Sequence, residues 1–367
     1  MVRGPEAGAA LSSALANLLG SFPVRRLFHG LVMYVALVLA MSAIFNQVAE
    51  KSLRARIEEE VVQVLRSSGN LEGADFDALR ASTFGELSRR HHLDEPWLAR
   101  VLRQAGDVLT FRFGRAATLK TSTGDRAVLG LILEALPNTL LLFGSEAVAV
   151  MALGLLVGLF AARKRGGALD RGLTVLPMFL NGFPSWWIGM LALMGFAYAL
   201  PIFPSGGIHL NPPPAGLRGI FDLLWHLFLP LFVLVALNLW GFALQVRSLV
   251  GDLVESPWIG AARARGVPER SILFRHVLAG ARPALLTMIV MGLLQSLSGN
   301  LLIEGIFGWP GLGNLYFIAV GQADVPVLLG VLAVQTLLNL AGLVGLDLAY
   351  RRLDPRIATR DLEGAAA

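Results

Sequence analysis

VESPWIGAARARGVPERSILFRHVL, from Val254 to Leu278, lies between two long apolar runs, Leu223–Gln245 and Pro283–Leu302, yet displays Arg263, Arg265, Arg270 and Arg275. Ser256 suits a helix N-cap and Pro257 the first helical position. Gly266 suits a left-handed stop, and Pro268 cannot continue the helix. The spacing predicts a helix of about nine residues, too short to be stable by itself. Trp258, Ala261, Ala262 and Arg265 fall at i, i+3, i+4 and i+7, on one face. Two alanines between a large aromatic and a cation leave room for close approach to a partner groove. A second helix begins near Pro268, with Ile272, Leu273, His276 and Val277 on one side. Physics alone leaves two readings: a basic connector lying on lipid headgroups, or a helix that docks on another protein.

Outward from this stretch the chain is apolar. Of 367 residues 55% are hydrophobic and 16% charged, against about 25% charged in an average soluble domain. Lipid is the solvent such a composition calls for. Six spans are expected: Gly30–Phe45, Asn138–Ala162, Leu173–Leu200 (broken by Pro177 and Pro184), Leu223–Gln245, Pro283–Leu302 and Val327–Ala349. Each approaches the ~20 residues that cross hydrocarbon as a helix. The first follows Arg25 and Arg26, as a signal peptide would, but no small-residue cleavage site follows it; it reads as an uncleaved span.

The net charge of +5 is topological rather than a nucleic-acid footprint. Arg163, Lys164, Arg165 and Arg171 lie between spans two and three, the arginines of the quoted stretch with Arg247 and Arg282 between four and five, and Arg351, Arg352, Arg356 and Arg360 after six. The alternate loops hold Arg218 in one case and no cation from Gly305 to Val325 in the other. The positive-inside rule places both termini and the 247–282 loop in the cytoplasm. The expected layout is a cytoplasmic segment 1–29, a first span 30–45, an external loop 46–126, a membrane core 127–350 and a cytoplasmic tail 351–367. In the external loop RARIEEEVVQVL has helical spacing, and Phe76–Arg90 and Pro96–Gln104 read as helices, the latter capped by Asp94 or Glu95. A small helical cap is expected there.

Several chemistries find no motif. The chain lacks GxxxxGK[ST], HExxH and GxSxG, and its SGG and LSGN stretches have no placed His–acid partner. It has no cysteine, so neither disulfides nor a Cys/His metal cluster is available. His91 and His92 are adjacent and do not make a metal site by themselves. No metal site, no resident cofactor and no enzymatic activity are expected of this chain.

The quoted stretch resembles the EAA loop of binding-protein-dependent ABC transporter permeases, dipeptide, oligopeptide and nickel branch. Gly260-Ala261-Ala262 stands where that motif has Glu-Ala-Ala, Gly266 is its glycine, and ARARG with His276 matches the ARAKG and downstream histidine of the branch. EGIFGWPGLGNL (Glu304–Leu315), ADVPVLLG, LDLAYRRLDPRI (Leu346–Ile357), LPNTL (Leu136–Leu140), FPSWWIG (Phe183–Gly189), IFPSGGI, HHLDEPW and LTFRFGRA are similar to further family segments, in order, from Leu93 to Ile357. Departures are Ala323 where the family has arginine, and NQVAEKS in place of its G-D-P after the first span.

The resemblance implies an all-α polytopic membrane protein with about six transmembrane helices in a type I ABC importer permease architecture. It implies a second permease subunit, two ABC ATPase subunits that bind ATP and Mg, and an extracytoplasmic solute-binding protein. Trp258, Gly260, Ala261, Ala262, Arg263, Arg265, Gly266 and His276 would then couple to the ATPase. Polar groups inside spans are candidates for the translocation path: Glu146, Asn181, Gln295, Ser298, Asn300 and Glu304. Gln295 and Ser298 share one face, and Asn300 and Glu304 another. Asn238 and Asn339 read instead as bonds between helices. Peptide is the favoured cargo, with a nickel or metal-chelate permease, or a self-contained secondary transporter, as alternatives.

Overall fold

The structure, a computed structural model, describes residues 22–67, 74–90, 92–163, 166–297 and 299–353. Among these residues the regular elements are all helical, with one isolated antiparallel bridge, Arg115 to Ala127. The α-helices of six or more residues are α1 (Phe22–Ser67), α2 (Ala74–Arg90), α3 (Trp97–Leu109), α4 (Val128–Arg163), α5 (Ala168–Leu180), α6 (Ser185–Leu193), α7 (Leu217–Val254), α8 (Pro257–Ala264), α9 (Leu278–Leu297), α10 (Leu301–Ile306), α11 (Leu312–Gly321) and α12 (Val325–Leu353). Two π-helical turns, Met194–Ala199 and Ile272–Val277, follow α6 and precede α9.

Among the described residues, five stretches are long and apolar enough to cross a membrane: Val24–Arg66, Val128–Arg163, Leu217–Val254, Glu269–Leu293 and Val325–Asp347. The remaining expected span, Leu173–Leu200, is not one helix. The chain leaves α5 after Leu180, turns through Asn181–Phe183, and restarts with Pro184 in extended conformation as the N-cap of α6. Pro177 stays inside α5, so only Pro184 breaks the run. Its ring bars the preceding residue from helical geometry.

The chain forms two compact units, Met1–Glu134 with Leu315–Leu337, and Ala135–Asn314 with Leu338–Ala367. In the first, α1 is a single 46-residue helix. The first span and the charged helix after it join without a break because NQVAEKSL contains no Gly or Pro. Beyond its apolar part, Ile57, Val61 and Leu65 pack with Leu87 of α2 and with Leu53, Leu79, Phe84 and Leu93. Helix α3 buries Val101, Ala105 and Val108, the i, i+4, i+7 stripe of an amphipathic helix. Glu50 of α1 meets Arg100 of α3 at 2.7 Å. Pro96 is the N-cap of α3, with no side-chain capping bond, so the expected Asp94 or Glu95 cap is not formed. Glu95 instead pairs with Arg103 at 2.5 Å and His92 at 3.0 Å, and the Arg103 bond holds its carboxyl below the usual range.

In the second unit α4 lies against α7. A Cβ on Gly158 would meet the Ala243 carbonyl oxygen at 2.6 Å, and one on Gly154 would meet Phe242 at the same distance. This small-xxx-small edge lets the two backbones approach closely. Asp170 of α5 receives Arg247 of α7 through two hydrogen bonds, 2.5 and 2.9 Å, and also accepts from the Gly166 amide.

Candidate functional site

Three constructions in the second unit carry the candidate residues. The first is a buried latch. Glu304 is fully buried, and its carboxylate accepts hydrogen bonds from Thr139 Oγ1 at 2.9 Å, the Gly313 amide at 2.6 Å and the Asn314 amide at 3.1 Å. Thr139 Oγ1 accepts in turn from the Leu312 amide at 2.7 Å. Beside it Trp309 Nε1 donates to the Asn138 carbonyl oxygen at 2.8 Å, while Asn138 Nδ2 donates to the Pro310 carbonyl oxygen at 2.9 Å. LPNTL and EGIFGWPGLGNL are therefore the two halves of one network. A Cβ on Gly311 would stand 2.4 Å from Glu304 Oε2 and 2.5 Å from Thr139 Oγ1, so the turn admits only glycine there.

FPSWWIG and IFPSGGI converge on the same place. Gly189 lies against the Phe307 ring, and the Gly207 amide donates to the Phe307 carbonyl oxygen at 3.2 Å. Glu304 is thus withdrawn into the protein and fully bonded there, rather than set on an open face with Asn300. The reason is supply of donors: a carboxylate with three N–H and O–H donors around it is satisfied where it is buried. The first unit repeats the pattern. LTFRFGRA and ADVPVLLG meet where Gly330 lies against the Phe113 ring, and just past the first segment the Ala117 amide donates to Asp324 at 2.6 Å, beside a bond between Thr118 and Gln322.

The second construction is a cavity of about 590 Å³. Glu146, Asn181 and Asn300 line it, joined by Asn238, Gln245 and Thr287. Asn238 Nδ2 donates to Glu146 Oε1 at 3.1 Å, so Asn238 both bonds α4 to α7 and faces the cavity. Asn300 also caps α10, its Oδ1 accepting from the Leu302 and Ile303 amides at 3.1 Å each. Apolar lining comes from Phe143, Val150, Leu234 and Phe242 among others, and from Met151, Met288 and Met291. The side chain of Gln295, and Ser298 entirely, lie outside the described residues. The methionines carry no signal of their own in the sequence, because Met in a span reads as ordinary apolar filling.

The third construction is α8. Its eight residues start at Ser256 and Pro257, close to the expected bounds, although Ser256 Oγ donates to the Leu253 carbonyl oxygen and makes no capping bond. The stop is a Schellman arrangement: the Val267 amide donates to the Ala262 carbonyl oxygen, the Gly266 amide to that of Arg263, and Gly266 has φ +78°. Ala262 is not on the open face. It is buried with Ile259 in a cluster that also holds Leu159, Val246, Val250, Ile272, Val277, Ala281 and Leu285. Ile259 and Ala262 are three apart and face the bundle together. The face left open carries Trp258, Gly260, Ala261, Ala264 and Arg265. Arg263 is held by Glu269 at 2.6 Å, and half-buried His276 approaches the Ser271 carbonyl oxygen at 3.2 Å.

A multi-pass helical bundle with a polar cavity between its long helices, and a short bounded helix seated in the same bundle, defines a membrane transport subunit. The chain belongs to the family described as the binding-protein-dependent transport system inner membrane component, whose model matches residues 154–359. It is 30% identical to the oligopeptide transport system permease protein AppB of Bacillus subtilis, over 74% of this chain and 84% of that protein. It is 30% identical to the di/tripeptide transport system permease protein DppB of Pseudomonas aeruginosa, with the same two coverages. A putative peptide permease protein of Brucella suis is 29% identical over 91% of this chain and 98% of its own length. Among solved structures, inward-facing conformations of the MetNI methionine ABC transporter are similar over 62% of this chain and 97% of theirs, at TM-score 0.48 and 18% identity. The family is one of transport permeases rather than enzymes or self-contained secondary transporters.

Proposed function

We propose that this chain, paired with a second and homologous permease subunit, forms the translocation path of an ATP-driven importer of di- and oligopeptides in the inner membrane. Both termini and α8 face the cytoplasm, on the strength of the arginine-rich loops. Residues 46–126 face outward. Two separate ATPase subunits bind ATP and Mg, and an extracytoplasmic solute-binding protein delivers the cargo. Peptide as cargo rests on the names of the relatives above.

The observation that carries this reading is the two-sidedness of α8. Its inner face is set in a cluster built from α4, α7 and α9, and those same helices wall the cavity. Its outer face, Trp258, Ala261 and Arg265, is open. A helix too short to stand alone, stopped sharply and packed on one side, moves as a piece with the helices beneath it. Displacement of α8 by closing ATPases then changes access to the cavity, as a rigid-body switch between two packed states.

The test uses the complete transporter in liposomes, with peptide uptake and ATP hydrolysis measured together. Trp258→Ala and Arg265→Glu, both at open positions, are expected to leave the subunit folded while uptake falls tenfold or more, through lost ATPase retention or uncoupled hydrolysis. Normal uptake with both substitutions combined sinks the coupling role. Uptake of chelated nickel and not of peptide sinks the cargo assignment.

A further inference from the structure

Among the described residues the cavity holds one ionisable side chain. Glu146 lines it, and among the described residues no Lys, Arg, His or second acid does. The neighbouring residues 294–298, LQSLS, add no charge in sequence. The other polar groups are neutral, the amides Asn181, Asn238, Gln245 and Asn300 and the hydroxyl of Thr287. A side-chain amide carries both a donor and an acceptor, the pair a peptide backbone also presents, although the Asn300 oxygen is already taken by its helix cap. Met151, Met288 and Met291 supply wall that reshapes around differing side chains at little cost. Charge of one sign in a partly desolvated hollow acts over the whole hollow, because the walls screen it poorly.

We infer that Glu146 makes the cavity selective for cargo bearing an ammonium group, and that the free amino terminus of a peptide is the group it receives, while anionic solutes are disfavoured. The inference rests on the transport reading above and deepens it. Asn238 holds the carboxylate by one oxygen, Oε1, at 3.1 Å. It fixes the acid's orientation without neutralising it. The amide ring then reads the backbone, and the methionines leave side-chain identity nearly unread. Selectivity arises in the membrane subunit as well as in the solute-binding protein.

The absence of native cysteine gives a direct test in the assembled transporter. Met291→Cys places a thiol on the cavity wall, with Met288→Cys as a second site. Each is reacted with a trimethylammonium-ethyl and a sulfonatoethyl methanethiosulfonate, and modification is read as the mass of this chain. With Glu146 present the cationic reagent is expected to react faster by about tenfold or more relative to a free thiol. Glu146→Gln should return the ratio to the free-thiol value, and Glu146→Asp should keep it. In parallel, uptake of trialanine and N-acetyl-trialanine is compared at saturating solute-binding protein. Glu146→Gln should narrow the preference for the free amino terminus several-fold. A reagent ratio unmoved by Glu146→Gln overturns the charge inference while leaving the transport reading intact. If neither reagent reaches either cysteine in any nucleotide state, the cavity is off the path and the transport reading fails with it.

Discussion

Glu146 and Glu304 looked alike in sequence, as two acids in apolar surroundings, and the structure gives them opposite fates. Glu304 is enclosed by donors from Thr139, Gly313 and Asn314. Glu146 has one amide partner and an open cavity. The difference was not legible in a list of polar residues, because donors 165 positions away and backbone amides have no sequence periodicity. It is half legible in the motifs, since LPNTL and EGIFGWPGLGNL are each distinctive while nothing in their sequence joins them. The latch predicts sharp local intolerance. Gly311→Ala should lower stability by about 1–3 kcal/mol through overpacking. Thr139→Val should cost about 1–3 kcal/mol by leaving the carboxylate short of a donor. Gly260→Ala, with open space around its Cβ, should be neutral or stabilising by about 0.5–1 kcal/mol. Thermal unfolding of the purified subunit in detergent orders the three. Equal midpoints for Gly311→Ala and the parent would contradict the close approach.

At the level of elements, α8 was readable almost to the residue because its punctuation is local: Pro at the start, a left-handed Gly at the end. Its inward face was misassigned because four positions at helical spacing do not say which side the bundle lies on. Ile259, omitted from that spacing, is fully buried and fixes the answer. Two neighbouring alanines therefore make a controlled pair. Ala262→Asp puts a charge into the packed cluster and should cost several kcal/mol, seen as poor yield and aggregation in detergent. Ala261→Asp faces outward; it should preserve the melting temperature and weaken retention of the ATPase subunits in a pull-down. The reverse ranking would mean that α8 is turned over. The third span shows the other failure of local reading: hydropathy continues through Leu173–Leu200 while the backbone stops at Leu180 and restarts at Ser185.

For the molecule as a whole, the class was legible from hydropathy and cation asymmetry, both of which average over many residues. Pairing between distant segments was not, because it depends on contacts that a linear pattern does not encode. The asymmetry makes a prediction that needs no contact at all. Cysteines placed one at a time at Ser82 in α2 and at Ala264 in α8, both exposed, should differ in intact cells. An impermeant thiol reagent is expected to modify position 82 directly and position 264 only after permeabilisation. Modification in the opposite order would invert the proposed topology.

The π turn Ile272–Val277 sits between α8 and α9, and it has a consequence for insertions and deletions. A π turn is an α-helix with one residue added, and each residue of an α-helix turns the chain by about 100°. That extra residue sets the azimuth of everything after it. With it, Ala281 and Leu285 face the cluster under α8 while Thr287, Met288 and Met291 reach the cavity. Loss of one residue anywhere in the turn, with no change of composition, would rotate α9 by about a quarter turn. The wall of the cavity would then be exchanged for a different stripe of the same helix. The turn should therefore tolerate substitution at its exposed positions, Phe274 and Arg275, and scarcely any change in its length.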